Sequence, residues 1–267
     1  MKKAIYFGSL PPKLSLKDRF ALAKEAGLDG VEIPSDFEKQ EQVEALAAEA
    51  AEAGIKIHSV MCSSHWGLPL SATDEEVRLK GCDGVRHALD VAKWAGADTV
   101  LVVPGVVTED VPYGAAYEIS QKSIWELLPA AEAAGVKMGL ENVWNKFLLS
   151  PLEMRDYLDS FNHELVCAYF DVGNILLYGY PHQWIEILAE RICKIHIKDF
   201  NVSKRDFVPL LTGDVDWPRV MNALRGVGYN DYITAELSQY TLFHKQMVRD
   251  TGVHLQKIID SAKSIEA

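Results

Sequence analysis

The sequence predicts an α/β fold, a (β/α)8 barrel, from three observations. Short apolar runs alternate with stretches of helical spacing, and eight such runs occur in 267 residues, or 267/8 ≈ 33 residues per unit. Most runs are continuously apolar, as in residues 99–103, which is typical of parallel strands covered on both faces. Five helical stretches end in glycine directly before an apolar run, as helix-to-strand turns commonly do. Barrels of this kind typically have about 250 residues.

The strands and turns can be assigned in chain order. The predicted strands are residues 2–7, 28–33, 55–61, 98–103, 136–141, 165–171, 193–198 and 231–236. The glycine turns are Gly27, Gly54, Gly96, Gly135 and Gly228. The last two lie 228 − 135 = 93 residues apart, which fits three units if two helices there end without glycine.

An open, doubly wound sheet is the competing arrangement. The first strand-to-helix turn, residues 8–12, lacks the glycine pattern of dinucleotide-binding sheets, which favours the barrel. No linker or low-complexity segment divides the chain, so we expect a single domain over residues 1–267.

Composition narrows the classes of partner. A formal charge of −11 argues against an extended nucleic-acid or membrane surface, although one phosphate in a local pocket remains compatible with it. The N-terminal apolar run is too short for an export signal, and no stretch approaches the roughly 20 apolar residues of a membrane span. The four cysteines follow no disulfide or zinc spacing. We therefore expect a cytoplasmic protein in a reducing compartment, without disulfides.

Four consecutive predicted strands each carry a side chain that can bind a metal. Glu141 ends the fifth strand, Asp171 ends the sixth, His196 lies in the seventh and Glu236 ends the eighth. Catalytic groups of such barrels lie at the carboxyl ends of the strands, so all four should meet at one rim. Any one of them could be an ordinary loop or core residue. Burying all four together without compensation would be costly, and a divalent cation would resolve the conflict.

The donor set indicates which ions and which chemistry to expect. Three carboxylates and one imidazole suit Mn²⁺ best, with Mg²⁺, Co²⁺, Zn²⁺ or Ni²⁺ as alternatives. Open coordination positions would accept two adjacent oxygens of a hydroxy-ketone, and the metal would stabilise the cis-enediolate formed when the neighbouring C–H loses its proton. Glu141 and Glu236 would then be the catalytic acid and base.

At these residues the sequence resembles the xylose isomerase-like barrel family of sugar and sugar-phosphate isomerases and epimerases. The matching segments are residues 141–145, 171–174, 196–199, 213–217 and 235–236. The resemblance implies that Glu141, Asp171, His196 and Glu236 bind one divalent metal and that the two glutamates exchange the proton on opposite faces of the substrate.

Within that family the motifs resemble the pentulose-5-phosphate 3-epimerase branch, which includes L-xylulose and L-ribulose 5-phosphate 3-epimerases. Epimerases of free ketohexoses have His, Arg and Glu where this chain has Asn174, Val202 and Phe147. These departures leave the metal chemistry intact and argue against a free ketohexose substrate.

Other polar and aromatic residues near the predicted rim are candidates for substrate contact. They are Lys198, Asn174, Glu32, His65 and Trp144. Each also has an ordinary structural explanation: a salt bridge to Glu236 or Asp171 for Lys198, turn chemistry for Asn174, an ion pair for Glu32, and packing for the aromatic loops. His58, inside the third strand, is expected in the core. The long segment 200–214 is a candidate lid.

The leading hypothesis is thus a metal-dependent sugar or sugar-phosphate isomerase or epimerase with a small-molecule substrate. A dehydratase or lyase of the inosose or dehydroshikimate type would use the same proton abstraction. A phosphodiesterase resembling the apurinic-site endonucleases is disfavoured by the acidic charge, and a non-catalytic sugar-binding barrel by the complete ligand set. Residues 113–117 and the C-terminal helix offer apolar surface that could serve a homo-oligomer or merely cover the barrel.

Overall fold

The structure, a computed structural model, describes residues 1–262 and closes eight parallel strands into a barrel. The strands are β1 (Lys2–Tyr6), β2 (Gly30–Pro34), β3 (Lys56–Met61), β4 (Thr99–Val102), β5 (Lys137–Glu141), β6 (Val166–Asp171), β7 (Ile192–Ile197), β8 (Asp199–Asn201), β9 (Asp206–Val208) and β10 (Tyr232–Ala235). The barrel uses β1 to β7 and β10, and β10 closes the ring against β1. The predicted fold class is confirmed, and each predicted strand boundary lies within two residues of the observed one.

Helices fill the segments between barrel strands. They are α1 (Leu16–Glu25), α2 (Gln40–Glu52), α3 (Glu75–Ala95), α4 (Tyr113–Ala134), α5 (Pro151–Asp159), α6 (Val172–Ile175), α7 (Pro181–Leu188), α8 (Trp217–Gly226) and α9 (His244–Ser261). Local sequence explains their starts: the Ser150 hydroxyl accepts the backbone N–H of Glu153, and Pro151 occupies the first helical position, where a missing N–H costs nothing. None of the helices within residues 1–262 is long and apolar enough to cross a bilayer.

The helix-to-strand turns adopt the conformation that their glycines predict. The five glycines named above have φ between 66° and 76°, where any other residue would be strained. The two turns that lack glycine place Asn162 and Ala189 at positive φ instead, 43° and 47°. The barrel therefore has the eight units that the spacing predicts.

The long segment after β7 contains an antiparallel hairpin of β8 and β9. Phe207 of the hairpin stacks on Trp144, with ring centroids 4.9 Å apart and planes 13° apart, while Lys204 and Arg205 are exposed at its tip. The hairpin lies at the carboxyl end of the barrel strands, and a lid movement stays a prediction.

The amino-terminal end of the barrel interior is closed by a buried lysine, paired with two more exposed aspartates, and by a histidine. The Lys194 ammonium lies 2.5 Å from Asp231 and 3.0 Å from Asp98. His58 is 1% exposed and stacks on Tyr232 at 4.3 Å, as expected for a core residue. Glu141, Asp171, His196 and Glu236 lie at or just beyond the other ends of their strands.

The expectation of no disulfide is wrong. Cys167 of β6 and Cys193 of β7 form a disulfide near the starts of these neighbouring strands, with Cα atoms 5.9 Å apart. Spacing rules search for cysteines that are close in sequence, whereas this pair is separated by 26 residues and brought together by strand pairing. Cys62 and Cys82 are buried and free.

Candidate active site

Four strands deliver the predicted metal-binding side chains to one cluster at the carboxyl end of the barrel. One potential ligand atom each from Glu141, Asp171, His196 and Glu236 lies within 4.8 Å of the others. Strand register explains this placement, because Asp171 of β6 is paired directly with His196 of β7. The first three residues are buried and Glu236 is partly open, so the cluster is accessible from one side.

His196 lies at the centre of the cluster. Its Nδ1 atom is 3.1 Å from Glu141 Oε1, 3.3 Å from Glu236 Oε2 and 3.9 Å from Asp171 Oδ2. Burial opposes a charged ring, but the surrounding carboxylates, with Glu32 foremost, outweigh it and raise the pKa of His196 well above its usual value. The carboxylates therefore make the centre of the cluster a strongly favourable place for a positively charged group.

The two glutamates occupy different electrostatic environments. Burial raises the pKa of Glu141 to about 7, even though His196 and Lys198 act in the opposite direction. Burial also acts to raise the pKa of Glu236, but hydrogen bonds and charges from His196 and Lys198 prevail and hold it well below the usual range. Glu236 is thus the carboxylate held ionised, and Glu141 is the one that can carry a proton near neutrality.

Lys198 is an ion-pair partner of the cluster. Its ammonium lies 2.5 Å from Glu236 Oε2 and 3.2 Å from Asp171 Oδ2. Burial acts to lower the pKa of Lys198, yet the charges of Asp171, Glu236 and Glu141 dominate and raise it. The structure thus shows the salt bridge that was the alternative explanation for Lys198, and its substrate contact stays a prediction.

The donor chemistry of the cluster fits one divalent metal ion. Asp171 Oδ2 is buried and accepts no hydrogen bond, although the Lys198 ammonium is near it. Three carboxylates converging with one imidazole nitrogen form the mostly oxygen set that Mn²⁺ or Mg²⁺ accepts in proteins. The cluster could therefore hold one ion, and these residues fit that role.

Glu32 lies beside the site histidine, at ion-pair distance from its ring. Its carboxylate is fully buried beneath His196 and accepts hydrogen bonds from Ser59 Oγ at 2.8 Å and Tyr169 Oη at 2.6 Å. Its other oxygen lies 2.8 Å from His196 Nε2. The structure thus shows the ion pair that was the alternative explanation for Glu32, and its substrate contact stays a prediction.

The remaining substrate candidates lie around the cluster. Asn174 is buried in the turn after Asp171: its N–H donates to Asp171 Oδ1, and its side chain donates to the Asn142 carbonyl. Trp144 donates from Nε1 to the Asn174 carbonyl at 2.9 Å. His65 is buried in the loop after β3, and its Nδ1 has no hydrogen-bond partner. Substrate contact by these three side chains stays a prediction.

A cavity of about 590 Å³ opens beside the cluster. It is lined on the barrel side by Lys198 and Glu236, on the hairpin side by Phe207, and elsewhere by groups that include Tyr6, Ser9 and Gln239. Its size suits a small metabolite. Glu236 is thus both a member of the cluster and part of the cavity wall, which joins the two.

Sequence reasoning missed Tyr6, Ser59 and Tyr169. Tyr6 ends β1 and lines the cavity, and burial followed by the charges of Glu32 and Glu236 raises its pKa to about 12. The period of two along a strand was the available signal, because Tyr169 precedes Asp171 by two residues and so shares its inward face.

A closed barrel with carboxylates and a histidine clustered at its strand ends defines a class of barrel proteins whose rim could hold a metal ion. The profile of the xylose isomerase-like TIM barrel family matches residues 20–258. The chain therefore belongs to this family, as its motifs indicate.

Comparisons with individual proteins agree with this assignment. The chain is 28% identical over 240 residues to the L-ribulose-5-phosphate 3-epimerase UlaE of Salmonella heidelberg (strain SL476), covering 84% of this chain and 83% of that one. A solved D-tagatose 3-epimerase-like protein superposes with a TM-score of 0.85 at 20% identity and covers 100% of both chains. A solved L-ribulose 3-epimerase gives 0.85 at 16% identity, covering 99% of this chain and 97% of that one. The two structures support the fold.

Proposed function

We propose that this protein is a divalent-metal-dependent 3-epimerase of a ketose or ketose phosphate, with a pentulose 5-phosphate as the first candidate substrate. The observation that carries the proposal is the pair of carboxylates, Glu141 and Glu236, that approach His196 Nδ1 from different strands beside a metabolite-sized cavity. The similarity to curated L-ribulose-5-phosphate 3-epimerases supports the choice of substrate class.

The four clustered side chains would hold the ion, and Mn²⁺ is our first choice because oxygen donors predominate. When bound there, a divalent ion supplies Lewis-acid stabilisation of the negative charge that develops on two neighbouring substrate oxygens as the α C–H bond is broken.

Glu236 and Glu141 would carry out the proton transfers. Epimerisation needs one group to remove the proton from carbon and another to return a proton to the opposite face. Glu236, paired with the Lys198 ammonium, accepts the proton in one direction. Glu141, which approaches the cluster from another strand, carries the proton that is returned to carbon, and in the reverse direction the two exchange roles. Lys198 orients the Glu236 carboxylate through its 2.5 Å ion pair.

The test combines metal analysis with solvent exchange. Purified protein loaded with Mn²⁺ should incorporate one deuterium from D₂O at carbon 3 of its ketose substrate and form the C3 epimer. The screen should contain matched pairs of free and phosphorylated ketopentoses and ketohexoses. Loss of water from the product would assign a dehydratase instead. Absence of both exchange and product, with metal bound, would refute an epimerase on these substrates.

A further inference from the structure

The buried Glu32 carboxylate interacts with the site histidine on the side away from the metal cluster. It lies on β2 and is fully buried. One of its oxygens is 2.8 Å from His196 Nε2, and the other accepts hydrogen bonds from Tyr169 Oη at 2.6 Å and Ser59 Oγ at 2.8 Å. The carboxylate therefore has three polar partners, as a buried charge requires.

The two nitrogens of His196 face different groups. Nε2 faces Glu32, whereas Nδ1 faces Glu141 at 3.1 Å and Glu236 at 3.3 Å. A neutral imidazole has one N–H and one lone pair, and the hydrogen bond made by one nitrogen decides where the lone pair lies. In the neutral ring that binds a metal ion, a proton held on Nε2 by Glu32 leaves the lone pair of Nδ1 directed into the cluster.

Strand geometry gives independent support. The pairing of barrel strands has two register shifts within the described residues, one between Val31 and Glu32 and the other between Ala168 and Tyr169. Register irregularities of this kind redirect side chains and are frequent next to active sites. Both shifts come directly before a member of the hydrogen-bonded group formed by Glu32, Tyr169 and Ser59.

We propose that Glu32 is a positioning residue that accepts the Nε2–H of His196, and so fixes the ring orientation and the tautomer that presents Nδ1 to a metal ion. Tyr169 and Ser59 in turn hold the Glu32 carboxylate. The inference rests on the metal site of the proposed function. Hydrogen bonds from carboxylates to metal-bound histidines typically contribute about 10- to 100-fold to metal affinity.

The test measures Mn²⁺ dissociation constants by titration of the purified protein. Glu32→Gln keeps the side-chain shape and removes the charge, and we expect it to weaken Mn²⁺ binding about 10- to 100-fold. Tyr169→Phe and Ser59→Ala remove one supporting hydrogen bond each and should weaken binding several-fold. Glu126→Gln is the matched control, because it removes a carboxylate paired with buried Arg78 in the outer helices and should leave Mn²⁺ affinity unchanged.

A spectroscopic measurement separates positioning from mere support of the fold. In Mg²⁺-loaded protein, ¹⁵N-histidine spectra should show His196 protonated at Nε2 with a strongly hydrogen-bonded proton, and Glu32→Gln should shift or broaden that signal. A loss of melting temperature in Glu32→Gln with Mn²⁺ affinity within twofold of wild type would overturn the inference. If Glu32→Gln does not fold, unchanged affinity in both Tyr169→Phe and Ser59→Ala would overturn it. Failure of the wild type to bind Mn²⁺ would overturn the proposed function itself.

Discussion

Gly173 offers a one-carbon test of the site geometry. A Cβ atom placed on Gly173 would lie 2.6 Å from the Cβ of Lys198 and 2.9 Å from its carbonyl oxygen. Ordinary van der Waals contact begins at 3.4 Å, so these distances are short by 0.8 and 0.5 Å. The clash involves backbone and Cβ, which cannot rotate away. In Gly173→Ala the segment after Asp171 and the end of β7 must therefore separate.

This separation should lower both catalytic efficiency and stability. Gly173 follows Asp171 by two residues, and Lys198 follows His196 by two, so both sides of the displaced contact carry cluster residues. A displacement near 1 Å can cost about 100-fold in rate. We expect kcat/KM to fall about 10- to 100-fold, with a loss of about 1–3 kcal/mol in the free energy of unfolding.

The assay is steady-state epimerisation together with urea unfolding at saturating metal. Gly226→Ala is the matched control: it lies at the end of α8, and a Cβ there meets no heavy atom within 4 Å. It should keep full activity and unfold at the same or higher urea concentration. If Gly173→Ala retains kcat/KM within twofold of wild type, the close contact does not control the site geometry and the reasoning is wrong.

Three further changes test other parts of the account. Burial lowers the pKa of His65 to about 4, although Glu236 has a smaller opposite effect. Between pH 6.5 and about 4, the imidazole of His65 is therefore protonated in the unfolded chain and neutral in the folded protein. His65→Gln should therefore lose about 2 kcal/mol less stability than wild type on acidification from pH 7 to 4.5, and equal losses in urea unfolding would contradict this. Burial acts to raise the pKa of Glu236, while His196 and then Lys198 lower it. Lys198→Met removes one of these two groups, so the acidic limb of the kcat/KM profile should move to higher pH; an unmoved limb would argue against Glu236 as the base. Trp144→Ala removes the stacking on Phe207 and should speed amide hydrogen exchange in β8 and β9, with unchanged exchange counting against a role for this stack.

The barrel could be predicted from sequence because each of its units repeats the same local physics. Continuous apolar runs identify buried parallel strands, and glycine turns mark the helix ends. The cluster could be predicted for a related reason. The strands of the barrel are parallel, so polar residues at their carboxyl ends lie at the same rim. This prediction required only the order of the strands along the chain, without knowledge of side-chain conformation. It gave the four residues Glu141, Asp171, His196 and Glu236.

Other features depend on which side chains meet inside the barrel. The contact between Glu32 and His196 joins β2 to β7 inside the barrel beside a register shift, and residue spacing reveals neither feature. The Cys167–Cys193 disulfide lies near the starts of consecutive predicted strands, so strand neighbours rather than cysteine motifs held the available signal. The role of Lys198 could not be decided from sequence, because its position along the chain is compatible both with ion pairs and with a substrate contact.

The central claim is that two glutamates exchange the proton on opposite faces of the substrate. The most direct test measures C3–H exchange in D₂O for the variants Glu141→Gln and Glu236→Gln, starting separately from each epimer. The metal bound to each variant is measured as well. We predict that both variants lose interconversion of the epimers by at least about 100-fold. Each should still exchange the C3 proton of one epimer without inversion, and the epimer should differ between the two variants. Exchange of both epimers by a single variant, or interconversion retained in both, would contradict the account.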